Sequence, residues 1–335
     1  MKAMILAAGF GTRLFPLTID RTKPAIPFLG KPLVGYVAEY VAKFGFKDII
    51  VNLHHQPDSV HKALGDGSDF GVNIEYTLEQ PKILGTAGAL DNARHLLENE
   101  TFLIINGKII TDIDISEAIE THKKSGALAT MVLKPNINRE RFTIVETKDD
   151  FVTGFGDFPT LISAGESQEM HASDEPPLMF TGIHILEPEV FEYIPRGVYS
   201  DIVPTFYRPA FAAGKKIAAH VSDGKWFELS TIPRYLDISL AMLNGTEEKI
   251  IKGSNVEISP NAVVKDSVIW DNVLIEDGAH VSKTIIADNV RIQAEKTYEN
   301  AAIVRADMLQ HCEEVPDKAM KGFFDGENYV VPLNQ

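Results

Sequence analysis

The chain has 335 residues, a formal net charge of −15, 44% hydrophobic residues and one cysteine. That length exceeds one small core and points to two domains with a tail. No run approaches the roughly 18–20 apolar residues of a membrane helix, and no basic stripe marks a duplex nucleic-acid binder. The expected partners are therefore small molecules, with neither nucleic acid nor membrane among them. The lone Cys312 cannot form an internal disulfide and fits a cytoplasmic location. The first residues do not read as a signal peptide, because their apolar run is short and leads straight into a glycine-rich turn.

Met4 to Ala7 is strand-like and feeds Leu6-Ala7-Ala8-Gly9-Phe10-Gly11-Thr12-Arg13-Leu14. Gly9 and Gly11 remove side chains where the chain must curl, so backbone N–H groups can approach an anion. Arg13 and Lys23 supply cations suited to phosphate oxygens. A dinucleotide fingerprint would need glycine where Leu14 stands, and a P-loop would need Gly-Lys-Ser/Thr where Gly11-Thr12-Arg13 stands. The reading is a nucleoside triphosphate site at the carboxyl end of the first strand.

Leu33, Val34, Val37, Val41 and Phe44 recur at helical spacing, with Gly45 as the stop. Asp48 to Leu53 is a continuous apolar run, as expected of a buried parallel strand. His54 and His55 follow it; neighbours on an extended strand point to opposite faces, so they read as loop residues rather than as a chelate. Val72–Leu78, Phe102–Asn106 and Leu128–Leu133 read as strands. Ala87–Leu97 reads as a helix, and Asp114 with Glu117 forms a capping-box spacing that opens another. Strand alternating with helix implies an α/β fold: a Rossmann-like, doubly wound sheet that binds ligands at its strands' carboxyl ends.

Residues 140–222 are less regular. Ser163–Pro177 is rich in Ser, Glu, Asp and Pro and reads as a mobile loop, Met179–Leu186 as a strand and Asp201–Ala213 as helix-like. Ile232–Leu243 closes this part as a helix, with Gly245 as its stop. Beyond it the period changes. Val256, Ala262, Val268, Val273, Ala279, Ile285 and Val290 are spaced 6, 6, 5, 6, 6 and 5 residues, each followed two places on by a second apolar residue. A period of 17 residues, from Val256 to Val273 to Val290, describes a three-sided hexapeptide β-helix. Such a short coil cannot bury its ends alone, so it must pack on the rest of the chain or on another subunit, making it a surface for homo-oligomer formation. Gly322–Leu333 reads as a hairpin around Asp325-Gly326. The expected domains are residues 1–245, a coil at 250–295, and a tail at 296–335.

The run Leu6–Leu14, with Lys23-Pro24 and Lys31-Pro32, resembles the signature of the sugar-1-phosphate nucleotidylyltransferases. By layout the chain looks most like mannose-1-phosphate guanylyltransferases, whose relatives place a left-handed parallel β-helix after a mixed-sheet catalytic domain. The resemblance implies attack of a sugar-1-phosphate oxygen on the α-phosphorus of a nucleoside triphosphate, with GTP and mannose 1-phosphate as the first pair. It implies that the loop, Leu6, Ala7, Ala8, Gly9, Gly11 and Thr12, holds the triphosphate together with Arg13 and Lys23. Gln80 and the stretch Leu84-Gly85-Thr86-Ala87-Gly88 would read the base. There Gly85 and Gly88 would let backbone lie near a flat ring, and Thr86 would cap the next helix. Thr181 and Gly182 stand where relatives contact the sugar, Thr181 offering one donated hydrogen bond. Asp157 falls in the sugar-phosphate segment, where the family's lysine is absent.

The family also uses Mg²⁺. Asn106-Gly107 matches its Asn-Gly-Asp, but Lys108 replaces the aspartate. A lysine charge about 4 Å from Mg²⁺ repels it by roughly 8 kcal/mol at an effective dielectric near 20. Three readings stay open: Lys108 replaces the metal's charge, Asp112 or Asp114 takes a displaced ion, or the protein is catalytically weak. At the second metal position Glu228 keeps a carboxylate one methylene longer than the family's aspartate and still suits a hard cation. A rival from another class is a non-catalytic nucleotide-sugar sensor or regulatory subunit. A β-helix acyltransferase is weaker, because His280 alone stands in a coil too short for that chemistry.

Overall fold

The computed structural model describes residues 1–156, 175–243, 249–310, 312 and 315–334. Asp157, most of the Ser163–Pro177 loop and the Gly245 stop lie outside the described residues. The chain forms two compact units interleaved in sequence. The first comprises Met1–Leu6, Val37–His54 and Asp66–Trp226; the second comprises Ala7–Tyr36, His55–Gly65 and Phe227–Gln335.

The first unit is built on a nine-stranded mixed sheet. Its strands in chain order are β1 (Lys2–Leu6), β2 (Asp48–Leu53), β3 (Asn73–Leu78), β4 (Phe102–Asn106), β5 (Ala129–Pro135), β6 (Val145–Lys148), β7 (Phe151–Phe155), β8 (Leu178–Leu186) and β9 (Ile217–Val221). In space they run β3-β2-β1-β4-β8-β5-β9-β7-β6. The first four are mutually parallel, the doubly wound half; β8 is antiparallel to both of its neighbours. Met4, Ile50, Phe102, Ile104, Met131 and Leu133 join one buried cluster with Phe206 and Tyr207. The uninterrupted apolar runs of β1, β2 and β4 follow from burial on both faces.

Local chemistry sets most boundaries and tertiary bonds alter two. Asp114 caps the helix Ile115–Ser125 by accepting from the Ser116 N–H at 2.8 Å, and Gly126 ends it at φ 58°. The segment read as one helix over 87–97 is two, Gly85–Asn92 and Arg94–Leu97. The break at Ala93 adjoins Asp91, whose buried carboxylate accepts the Gly197 N–H at 2.7 Å and pairs with Arg94 at 2.8 Å. Asp201–Ala213 begins with a π-turn over Val203–Tyr207 and only then becomes α-helical at Arg208–Ala212. Pro209 has no N–H to offer the carbonyl one turn back, which widens the winding there.

The second unit contains the turns Thr12–Leu14 and Lys23–Ala25, the helices Pro57–Leu64 and Ile232–Ala241, and the coil. In the coil, Glu257 pairs with Leu274 and Leu274 with Arg291; Val263 pairs with His280 and His280 with Thr297. Each rung thus advances by the 17-residue step of the sequence pattern. Val264, Ile275, Val281 and Ile292 fill the interior. One corner is turned by Asn255, Asn272 and Asn289, with φ of 54°, 58° and 59°. Asparagine tolerates this left-handed backbone, and Asn255 Nδ2 donates to Asn272 Oδ1 at 3.0 Å. The coil does not stop at 295: Thr297–Arg305 is a further parallel rung on His280–Ile286. The hairpin Phe323–Asp325 and Asn328–Pro332 then lays an antiparallel strand on that last rung.

Asn272→Val forces a β-branched residue into the left-handed region. It is expected to lower stability by about 1–2 kcal/mol, read as a shifted midpoint in urea unfolding, whereas Asn272→Gly should cost clearly less.

Candidate functional site

In the first unit, the carboxyl ends of β1 and β4 lie side by side. Leu6 and Asn106 are register partners, and the Gly107 N–H donates to the Leu6 carbonyl at 2.9 Å. A Cβ on Gly107 would meet that carbonyl at 3.0 Å and Ile5 Cγ2 at 3.1 Å. Gly182 sits at φ 79°, where a Cβ would overlap the Asn106 amide. Leu6, Asn106, Gly107 and Gly182 are therefore brought together, with half-buried Lys108 next in the chain.

Thr181 does not play its expected part. It is 1% exposed, and its hydroxyl donates to the Val132 carbonyl at 2.7 Å. Its own carbonyl accepts from Trp226 Nε1 at 3.0 Å. The single proton expected for a sugar is spent inside the sheet, at the irregularity where β8 leaves register with β5. Asp157 lies outside the described residues.

The stretch around Gly85 is shaped by the chain beside it. A Cβ on Gly85, at φ 75°, would meet the Ser200 carbonyl at 2.7 Å; one on Gly88 would meet the Val198 carbonyl at 2.8 Å. That Ser200 carbonyl accepts from Ala87 and Gly88 N–H at 2.8 and 3.1 Å. Instead of capping its own helix, Thr86 uses its hydroxyl to accept the Ile202 N–H at 2.8 Å. Gln80 is exposed.

Sequence reasoning missed the residue that holds this stretch. Glu79 is 1% exposed; one carboxylate oxygen accepts Asn52 Nδ2 and the other the Leu84 N–H, both at 2.6 Å. Burial raises the Glu79 carboxyl above its ordinary range, against the opposing pull of the hydrogen bonds from Leu84 and Asn52. His54 Nδ1 lies 2.8 Å from the Glu79 carbonyl. The available signal was Asn52, a polar residue inside an apolar strand, which demanded a buried partner.

In the second unit, the glycine-rich loop is held from within. Gly11 has φ 68°; a Cβ there would meet Thr18 Cγ2 at 3.0 Å and Lys23 Cβ at 3.3 Å. The Gly11 carbonyl accepts from the Leu14 N–H at 2.8 Å and from Thr18 Oγ1 at 3.2 Å. Ala7 and Ala8 are buried, Gly9 and Arg13 exposed, and Thr12 intermediate. Lys23 is 8% exposed, an unusual place for a lysine. His55, past the end of β2, sets its ring 5.2 Å from that of Phe10. The two histidines therefore do not act together.

In the first unit the residues present do not supply the carboxylate that the family resemblance places at the first Mg²⁺ position. Lysine occupies the first ligand position. Asp112 Oδ1 accepts the Lys225 N–H at 2.5 Å, and Asp114 Oδ1 caps the next helix, each through one oxygen of an exposed carboxylate. Glu228 is buried at 6% exposure in the second unit, and among the described residues no group of three His, Cys, Asp or Glu could hold a metal.

Comparison with known proteins fits this geometry. The family described as Nucleotidyl transferase matches residues 2–245, and that described as GlmU-like, C-terminal hexapeptide matches residues 241–300. The UTP–glucose-1-phosphate uridylyltransferase of Synechocystis sp. is 31% identical, covering 84% of this chain and 74% of that protein. The N-acetylmuramate alpha-1-phosphate uridylyltransferase of Neisseria meningitidis serogroup B is 32% identical over 70% of this chain and 95% of its own. The mannose-1-phosphate guanylyltransferase of Mycobacterium tuberculosis is 25% identical, covering 84% and 83%. A Bacillus anthracis structure described as a glucose-1-phosphate thymidylyltransferase shares the fold, with a TM-score of 0.60 at 22% identity over 74% of this chain and 98% of that one. The chain belongs to the nucleotidyl transferase family, among enzymes that act on sugar 1-phosphates.

Proposed function

We propose that this enzyme joins GTP to mannose 1-phosphate, with residues 1–245 carrying the transfer and the coil offering a surface for self-association. The observation that supports a transferase site most directly is the close approach of Leu6, Asn106, Gly107 and Gly182 at the strands' carboxyl ends. That is where a doubly wound sheet receives its ligand. The Synechocystis relative makes UTP with glucose 1-phosphate the second pair.

The reaction needs no covalent nucleophile from the protein. A sugar-phosphate oxygen forms a bond to the α-phosphorus, the bond from that phosphorus to the β-phosphate oxygen breaks, and pyrophosphate leaves with its charge. The protein's task is to align two anions and neutralise them. In this reading the loop amides of Ala7–Thr12, Arg13 and buried Lys23 take the triphosphate, while Lys108 supplies positive charge where relatives place a metal ligand. A single cysteine suits work in a reducing compartment.

Lys108, with Asp112 and Asp114 tied to backbone N–H groups, also favours a second reading: a regulatory subunit that binds nucleotide sugar without turnover. Pyrophosphate release over a grid of nucleoside triphosphates and sugar 1-phosphates, with Mg²⁺ or a chelator, separates the two. Turnover with one pair names the substrates. Silence with retained nucleotide binding makes the protein a sensor.

Two substitutions sharpen this. Arg13→Ala is expected to lower kcat/KM about 10²- to 10³-fold, the usual loss for one charge-stabilising donor, with an unchanged unfolding midpoint; retained turnover would remove Arg13 from the mechanism. Lys108→Asp should make turnover strictly Mg²⁺-dependent. If Lys108 is instead a working phosphate contact, that variant loses at least tenfold in kcat/KM at every Mg²⁺ concentration.

A further inference from the structure

The segment between Asp20 and Pro27 carries Lys23, and the coil grips it at both ends. At the first end, the Arg21 guanidinium donates to Asp20 Oδ1 at 2.9 Å and to Asp288 Oδ2 at 2.6 Å, and lies 5.1 Å above the Trp270 ring. The Asp288 carboxylate is itself fixed, because its other oxygen accepts the Asp271 N–H at 2.9 Å on the adjacent rung. At the second end, Trp270 Nε1 donates to Tyr235 Oη at 3.0 Å, and Tyr235 Oη donates to the Pro27 carbonyl at 2.5 Å. Trp270 is 3% and Tyr235 1% exposed, so these bonds are shielded from water. Between the grips, the Thr22 N–H donates to Ser59 Oγ at 3.1 Å, and Lys23 packs against the spot a Gly11 Cβ would need.

We infer that Arg21, Asp288, Trp270 and Tyr235 form a brace by which the coil positions Lys23 for the triphosphate, making Arg21 and Asp288 positioning residues for transfer. A lysine so deeply buried has a small set of conformations. Its ammonium meets the phosphates only while the segment bearing it holds its place. Two carboxylates and an aromatic face match a planar guanidinium, which donates through a fixed fork; an ammonium satisfies only part of that arrangement. The hexapeptide region thus acts on chemistry through this side of the second unit, besides any part in association. The inference rests on the proposed role of Lys23.

The test measures binding of inorganic pyrophosphate by calorimetry to the full chain and to Lys23→Ala, Asp288→Asn and the double variant. Lys23→Ala is expected to weaken binding at least tenfold and Asp288→Asn about fivefold, with the double variant no weaker than Lys23→Ala alone. The KM for sugar 1-phosphate should stay unchanged in Asp288→Asn. Wild-type affinity in Asp288→Asn, or losses that multiply in the double variant, overturns the brace while leaving Lys23 in place. Wild-type affinity in Lys23→Ala removes the role of Lys23 and the brace with it. Should Asp288→Asn fail to fold, Arg21→Lys replaces it under the same comparison.

Discussion

The carboxyl ends of β1 and β4 are tied together by the hydrogen bond from the Gly107 N–H to the Leu6 carbonyl, and this constraint sets what can stand beside it. Parallel strands end with peptide groups that have run out of neighbours, and those groups must still be satisfied. Here the chain solves this by continuing the ladder one residue past β4, where a side chain would fit only if its neighbours gave way by a few tenths of an ångström. The same crowding lays the Asn106 amide on Gly182. Three segments distant in sequence are thereby fixed against each other, and a site formed on them inherits their rigidity.

Several polar side chains of the first unit are occupied in building the fold. Thr181 bonds a strand carbonyl, Glu79 spans Asn52 and Leu84, Asp112 holds the backbone of Lys225, and Thr86 takes the Ile202 N–H.

The coil contributes order of a different kind. Its 17-residue step repeats the same left-handed corner at Asn255, Asn272 and Asn289 and the same inward positions at each rung, so each layer templates the next. Such a stack is stiff across its rungs, and stiffness is what an anchor for the Lys23 segment requires. The terminal hairpin covers the last rung, so that rung does not present an unpaired edge.

Much was legible before the structure. The alternation of apolar runs with helical spacing determined the doubly wound half, the 6-6-5 pattern determined the coil and its register, and the Leu6–Leu14 run with Lys23 and Lys31 determined the family. These are local or periodic signals, and a periodic pattern states directly which face is buried. What only the tertiary structure decided is which polar groups satisfy one another. Glu79 bonded to Asn52, the hydroxyl of Thr181 on the Val132 carbonyl, the carbonyls of Val198 and Ser200 against Gly88 and Gly85, the end of the coil at Arg305, and the grip of Asp288 on Arg21 all join residues far apart in sequence. A hydrogen bond has no sequence period. Its partner is set by where the packed sheet and coil bring a donor within reach of an acceptor, and that is known only once the chain has folded.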